Sequence, residues 1–206
     1  VAQVQKPELR ERMIAAALEV FAESGYERAT MAKIAERAGG GAASLYRYFS
    51  AKDELFAAAI PAEIVREFRQ LVARRVRALG SAQLGDPDHT AEAMLRFWVR
   101  HRLAVVVLLD RAAGTPYASF GRSFVAALVR LTVAQLRAAN PGLRLDAAER
   151  FTLQQIFENT RAILAAILAR HANEAAMRRA IAAFWSYQVA GLHGFAAYLN
   201  QLERRA

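Results

Sequence analysis

The chain has 206 residues, a net charge of +9 and no cysteine, which excludes disulfides and thiolate metal sites. Its length allows one large or two small domains with a real core, and no apolar run, Leu103 to Leu109 among them, approaches the ~20 residues of a membrane span. The first residues carry no charged-then-apolar leader, so a soluble, cytoplasmic protein without a membrane partner is expected; His89, His101, His171 and His193 show no i,i+4 pairing, so neither a zinc site nor another cofactor is.

Residues 1–6 show no periodicity and read as a trailing tail, or as an arm of the kind that reaches a minor groove. Pro7 opens a first helix, with Glu8 and Glu11 against its positive end. Met13, Ile14, Ala17, Leu18 and Phe21 form its apolar stripe, and Gly25 stops it. Thr30 can cap a second helix whose Met31, Ile34, Ala35 and Ala38 share one face. Gly39-Gly40-Gly41 ends it, because glycine accepts the left-handed conformation of a tight reversal. A third short helix, Ala42 to Phe49, turns Leu45 and Phe49 inward, and Ser50 to Asp53 reads as a capping box for the next. Two short helices about a glycine turn are the plan of a helix-turn-helix, whose second helix enters the major groove of DNA. Global charge does not support that reading: residues 1–55 hold eight basic and eight acidic side chains, and the whole excess sits in 56–206.

Past Ser50 the periodicity meets Pro61, which predicts a break near 57–61 and continuation to Leu79. Ile64, Phe68, Leu71, Val72 and Val76 face inward there, and Arg66, Arg69, Arg74, Arg75 and Arg77 read as a solvated face. Residues 80–88 form a loop by composition. Further helices are predicted over 89–111, 117–139, 147–170 (capped by Asp146-x-x-Glu149) and 174–201. The fold class is therefore all-α with about nine helices.

The motifs Ala17-x-x-x-Phe21-x-x-x-Gly25-Tyr26, Thr30-x-x-x-Ile34-Ala35-x-x-Ala38-Gly39, Leu45-Tyr46-Arg47-Tyr48-Phe49 and Lys52-x-Glu54-Leu55 follow one another in register. This stretch, from Arg12 to Leu55, resembles the DNA-binding region of the TetR family of bacterial transcriptional regulators. The resemblance implies a helix-turn-helix domain over 1–55 and a larger helical ligand-binding and dimerisation domain over 56–206. It assigns DNA contacts to Thr30, Gly41, Ala42, Ala43, Ser44, Tyr46, Arg47, Tyr48 and Lys52. Thr30 and Lys52 sit at helix starts, where backbone N–H groups also meet phosphates. Tyr46 and Tyr48 resemble the family's backbone-contacting tyrosines, or simply pack; Arg47 touches phosphate or faces solvent. Gly40 to Ala43 depart from the family, which carries polar or longer residues there. Since glycine and alanine side chains cannot make bidentate bonds to bases, readout is expected to lean on backbone approach, shape and methyl contacts.

In the rear half, Trp98, His101, Phe124, Phe157, Glu158, Arg161, Trp185 and Gln188 mix aromatic and polar groups and read as an effector pocket, or as ordinary core. The arginine excess suits an anionic or amphipathic ligand, or only an arginine-rich surface. Residues 176–202 are apolar almost all round, so one face should meet a second copy of the chain, with Ile163, Ile167, Phe184, Gly191, Gly194 and Phe195 in the interface. The function implied is a homodimeric repressor that binds a double-stranded DNA operator and is released by an unidentified small molecule, with Pro61 as transmitting hinge. A DNA-binding regulator without ligand sensing is one alternative, and an activator instead of a repressor is another. No nucleophile–base pair or phosphate loop appears, so an enzyme is not expected.

Overall fold

The computed structural model describes residues 7–81 and 89–203, with side chains over 7–74 and 90–201. The expectations for residues 1–6, Arg75, Val76, Arg77, Leu202 and most of the loop over 80–88 lie outside these described parts. Ten α-helices and one π-helical turn follow in order: α1 (Pro7–Ser24), α2 (Met31–Arg37), α3 (Ala42–Tyr48), α4 (Lys52–Ala59), α5 (Ala62–Ser81), α6 (His89–Arg100), α7 (Arg102–Val106), the π-turn Val107–Arg111, α8 (Phe120–Ala139), α9 (Ala147–Arg170) and α10 (Glu174–Glu203). No strand occurs among the described residues.

The helix boundaries follow local chemistry. Thr30 caps α2, its hydroxyl accepting the Lys33 N–H at 3.2 Å. Asp146 and Glu149 close a reciprocal capping box on α9. The chain breaks between α4 and α5, where Ile60 leaves the helical region (φ −129°, ψ 76°) ahead of Pro61. Two expectations are corrected. The helix predicted over 89–111 is interrupted at His101 (φ −111°, ψ 31°), and its end widens into the π-turn. The capping box at Ser50–Asp53 does not form. Ala51 is the N-cap, and Glu54 instead accepts the Ser50 N–H (2.8 Å) and hydroxyl (2.9 Å), because Asp53 is engaged by the Tyr26 hydroxyl.

One hydrophobic core runs through both halves, from Met13, Phe21, Ile34 and Leu45 in front, through Phe56 and Phe68, to Leu164, Leu168 and Ile181 behind. A smaller cluster of Val125, Leu143, Leu145, Leu153, Phe157 and Leu199 fills the far end. The π-turn lies where the halves meet. There Tyr26 N–H donates to the Arg111 carbonyl at 3.1 Å, and the Arg111 guanidinium donates to the Glu23 carbonyl.

Candidate nucleic-acid interface and cavity

The front of the molecule is built to hold α3 outward. Leu45 is fully buried and Phe49 nearly so, which pins the inner side of a seven-residue helix that would not be stable alone. Its outer side carries Gly41, Ala43, Tyr46 and Arg47, all exposed, with Tyr46 at 53%. Ala42, Ser44 and Tyr48 are half-buried; Tyr48 packs on the core, and Ser44 Oγ accepts from Arg47 at 3.3 Å. Helix α2 ends in a complete Schellman motif. Gly39 lies at φ +75°, its N–H reaches the Glu36 carbonyl at 3.0 Å, and the Gly40 N–H reaches the Ala35 carbonyl at 2.9 Å. A Cβ on Gly40 or Gly41 would meet nothing within 4 Å. The left-handed backbone therefore requires glycine at 39 alone, and the fold leaves residues 40 and 41 as bare backbone beside the exposed start of α3.

Lys52 departs from its expected place. Its ammonium turns inward and donates to the carbonyls of Tyr26 (2.8 Å) and Ala29 (3.0 Å), while lying 4.3 Å from the Tyr26 ring centroid. Those carbonyls belong to the turn between α1 and α2, so Lys52 ties α4 to that turn. Contact with a phosphate would require it to abandon these partners. The residue that sequence reasoning undervalued is Tyr26. It is buried, packs tilted against Phe21 and edge-on against Phe56 (5.6 and 5.1 Å between ring centroids), gives its hydroxyl to Asp53 and its N–H to the Arg111 carbonyl. Its place in the Gly25-Tyr26 motif was the available signal; its long-range partners were not. The other front-half cations are largely engaged. Arg37 forms a two-pronged pair with Glu23 (2.7 and 2.8 Å) and also holds Glu19 (3.1 Å), which lowers the Glu23 pKa; Arg10 lies 5.2 Å from the Phe49 ring.

Behind this front, α5, α6, α8, α9 and α10 enclose a partly open cavity of about 230 Å³. Trp98, Phe124 and Trp185 line it together, as expected, along with Met94, Leu128 and Leu164. The other five predicted pocket residues do not line this cavity. Phe157 belongs to the far core cluster, and His101 packs at a tilt against Phe97, ring centroids 4.8 Å apart, where burial lowers its pKa. Glu158 pairs with Arg161 at 3.0 Å. Arg161 reaches away to the π-turn, donating to the Leu109 carbonyl (2.7 Å) and to Asp110 (2.9 Å). Gln188 is buried on α10 with its amide nitrogen unpartnered among the described residues, outside this lining. The reason is geometric. Helical spacing puts Phe157, Glu158 and Arg161 on α9, but only Thr160 and Leu164 of that helix turn toward the cavity.

On the opposite flank, α9 and α10 expose apolar side chains: Phe151 and Ile163 on the first, Tyr187 (73% exposed), Val189 and Tyr198 on the second. Gly191 and Gly194 are exposed between the tyrosines, and a Cβ on either meets nothing. Ile167, Phe184 and Phe195, named from sequence for the same surface, are half-buried; Ile167 and Phe195 pack on the cores, and Phe184 lines the cavity.

A short outward helix, pinned by two core residues and preceded by a capped partner helix and a glycine turn, defines a helix-turn-helix DNA-binding module. Residues 13–59 match the model of the family described as bacterial regulatory proteins, tetR family, and the chain carries that family's DNA-binding domain. Similar solved structures include a TetR family transcriptional regulator from Chloroflexus aurantiacus J-10-fl, 22% identical, covering 98% of this chain and 94% of that one at a TM-score of 0.48. A TetR-like transcriptional regulator from Rhodococcus sp. RHA1 is 24% identical, with 98% and 97% covered and a TM-score of 0.43. A tetR-family transcriptional regulator from Streptomyces coelicolor is 16% identical, with 96% and 90% covered and a TM-score of 0.42. No curated protein matches the chain. No helix among the described residues is long and apolar enough to cross a membrane.

Proposed function

We propose that this chain is a cytoplasmic homodimeric repressor which holds two copies of α3 in the major groove of an operator and lets go when a small molecule fills the rear cavity. The observation that carries the reading is the division of α3, with Leu45 and Phe49 locked inside and Tyr46 and Arg47 outside. Thr30, Ser44, Tyr46, Arg47 and Tyr48 contact the DNA, and the bare backbone at Gly41 to Ala43 lets the helix start lie close to base edges. Since Gly41, Ala42 and Ala43 offer no bidentate partner, specificity comes from shape and thymine methyl contacts. Residues 1–55 form the DNA-binding unit, and residues 56–206 bind the effector and dimerise through the exposed faces of α9 and α10. The chain catalyses no reaction in this scheme.

The cavity favours ligand sensing over a rear half that only dimerises. Release follows from population shift: an effector that binds the DNA-incompetent arrangement about a hundredfold better shifts the equilibrium by ~2.7 kcal/mol. Besides the shared core, the Ile60–Pro61 break and the Arg111 bonds to Glu23 and Tyr26 are the links through which the halves would communicate. The test is selection of bound duplexes from a random pool, followed by mobility shifts on the selected site. Tyr46→Ala should weaken binding at least tenfold with the fold intact. Selection of no consistent site, or specificity that collapses on changing one G·C pair while Ser44 and Tyr46 are both dispensable, would overturn the mode of readout.

A further inference from the structure

We infer that the cavity walled by Trp98, Phe124 and Trp185 takes an uncharged, apolar molecule, held by burial and shape with no polar group recognised. The inference rests on the cavity being the effector site and names the chemical class of its occupant. Nearly all the surface the wall presents is aliphatic or aromatic. Its few neutral polar atoms are withheld from a guest. The Trp98 indole nitrogen is sealed within the protein, and the Thr160 hydroxyl, itself buried, donates to the Ile156 carbonyl at 2.9 Å. Ligand pockets ordinarily carry a few placed polar groups that fix orientation. Without them, affinity follows the apolar area removed from water and the fit of the guest. A volume of about 230 Å³ exceeds the ~150 Å³ apolar cavity that accepts benzene, and suits a molecule of two fused rings.

Charge on the guest is opposed at the mouth. Arg178 and Glu92 are the ionised residues of the lining; they are 34% and 46% exposed, so they stand at its edge, and they pair at 3.2 Å. Arg178 also holds Glu174 at 2.8 Å, and Glu92 also meets Arg96 at 3.6 Å. These two guanidinium groups and two carboxylates cancel. An anion approaching Arg178 meets two carboxylates, and a cation approaching Glu92 meets two guanidinium groups. Deeper in, an ion would lose its hydration and find only apolar wall in return.

The experiment titrates the full chain, without DNA, with four probes of one shape, read by calorimetry: indane (hydrocarbon), 2-indanone (neutral acceptor), indane-2-carboxylate (anion) and 2-aminoindane (cation at neutral pH). Indane should bind at least tenfold more tightly than either ion, and the ketone no more tightly than indane. Both tryptophans of the chain line this cavity, so saturation with indane should also change tryptophan emission. Glu92→Gln leaves two guanidinium groups against one carboxylate at the mouth. It should strengthen carboxylate binding at least threefold and change indane less than twofold. An ion binding as tightly as indane, a ketone preferred threefold or more, no binding of indane at its solubility limit, or emission unchanged at saturation would each overturn the inference. So would a folded Glu92→Gln protein that treats the carboxylate as the parent chain does. The wild-type ranking decides even if the variant fails to fold. The expected ranking from a chain whose DNA complex survives saturating indane would sink the proposed release and leave the ligand class standing.

Discussion

Gly39, Gly41 and Lys52 sit within a few residues of α3 and answer to different constraints. Gly39 is left-handed, so Gly39→Ala should lower the unfolding free energy by about 1–2 kcal/mol in urea titrations. Gly41→Ala should leave stability unchanged, since its Cβ meets open space, and should still weaken DNA binding if the backbone lies against the groove. Lys52→Met should cost about 1–2 kcal/mol, from lost bonds to the Tyr26 and Ala29 carbonyls, with the salt dependence of DNA binding unaltered. A fall in that slope of about one per site with stability intact would put the ammonium on a phosphate. Titration follows two groups. The His101 pKa is lowered, chiefly by burial and then by Arg100, so the unfolded chain takes up its proton first as pH falls below about 6.5, and stability should decline there. The Glu54 pKa is lowered by its bonds from the Ser50 N–H and hydroxyl, so its contribution persists above about 4.5 and disappears as pH falls through the lower folded value. Thermal melts of His101→Phe across pH 7 to 5 should therefore be flatter than those of the parent chain.

Among the helices, the π-turn is held by partners from three other parts of the chain, the Glu23–Tyr26 segment, α8 and α9. A Cβ on Gly121 of α8 would lie 2.3 Å from the Leu109 carbonyl oxygen, so α8 packs directly on the π-turn backbone. Arg161 of α9 donates to the same oxygen, and its neighbours Thr160 and Leu164 line the cavity. The far end of the turn holds Glu23 and Tyr26 of the DNA-binding half. π-Turns often mark functional sites, and this one touches α8 and α9, which line the cavity, as well as the front module. Gly121→Ala should force α8 and the turn apart and lower the melting temperature markedly. Arg161→Met should preserve DNA affinity within about threefold while blunting the response to effector by tenfold or more; an unchanged response would remove this route. Pro61→Ala tests the other link. If it leaves both DNA affinity and effector response untouched, the α4–α5 break transmits nothing.

For the whole molecule, the exposed stripe of Tyr187, Gly191, Gly194 and Tyr198 on α10 sets the expectation of a dimer. Gly191→Lys and Gly194→Lys fit the protomer without a clash, yet block close approach of a second α10. Sedimentation should report monomers for both variants, with helicity retained and operator affinity greatly reduced; persistent dimers would place the interface elsewhere. Operator binding should also be only mildly salt-dependent despite the +9 charge, because Arg37 and Lys52 are engaged internally and the basic excess lies behind. A slope of log affinity against log salt of about −3 to −6 per dimer is expected, and one steeper than about −9 would bring the rear arginines onto DNA.

Sequence by itself determined the helix-turn-helix, the buried roles of Leu45 and Phe49, the exposed start of α3, the break at Pro61 and the capping box of α9. Each rests on periodicity or on bonds between residues only a few positions apart, so the chain encodes it locally. Tertiary structure alone decided that Lys52 faces carbonyls, that Arg161 leaves the cavity for the π-turn, and that Trp98, Phe124 and Trp185 meet where Phe157 and His101 do not. Those outcomes turn on which neighbouring helix a polar side chain finds across the core, and helical spacing fixes the face of a residue without fixing what that face will touch.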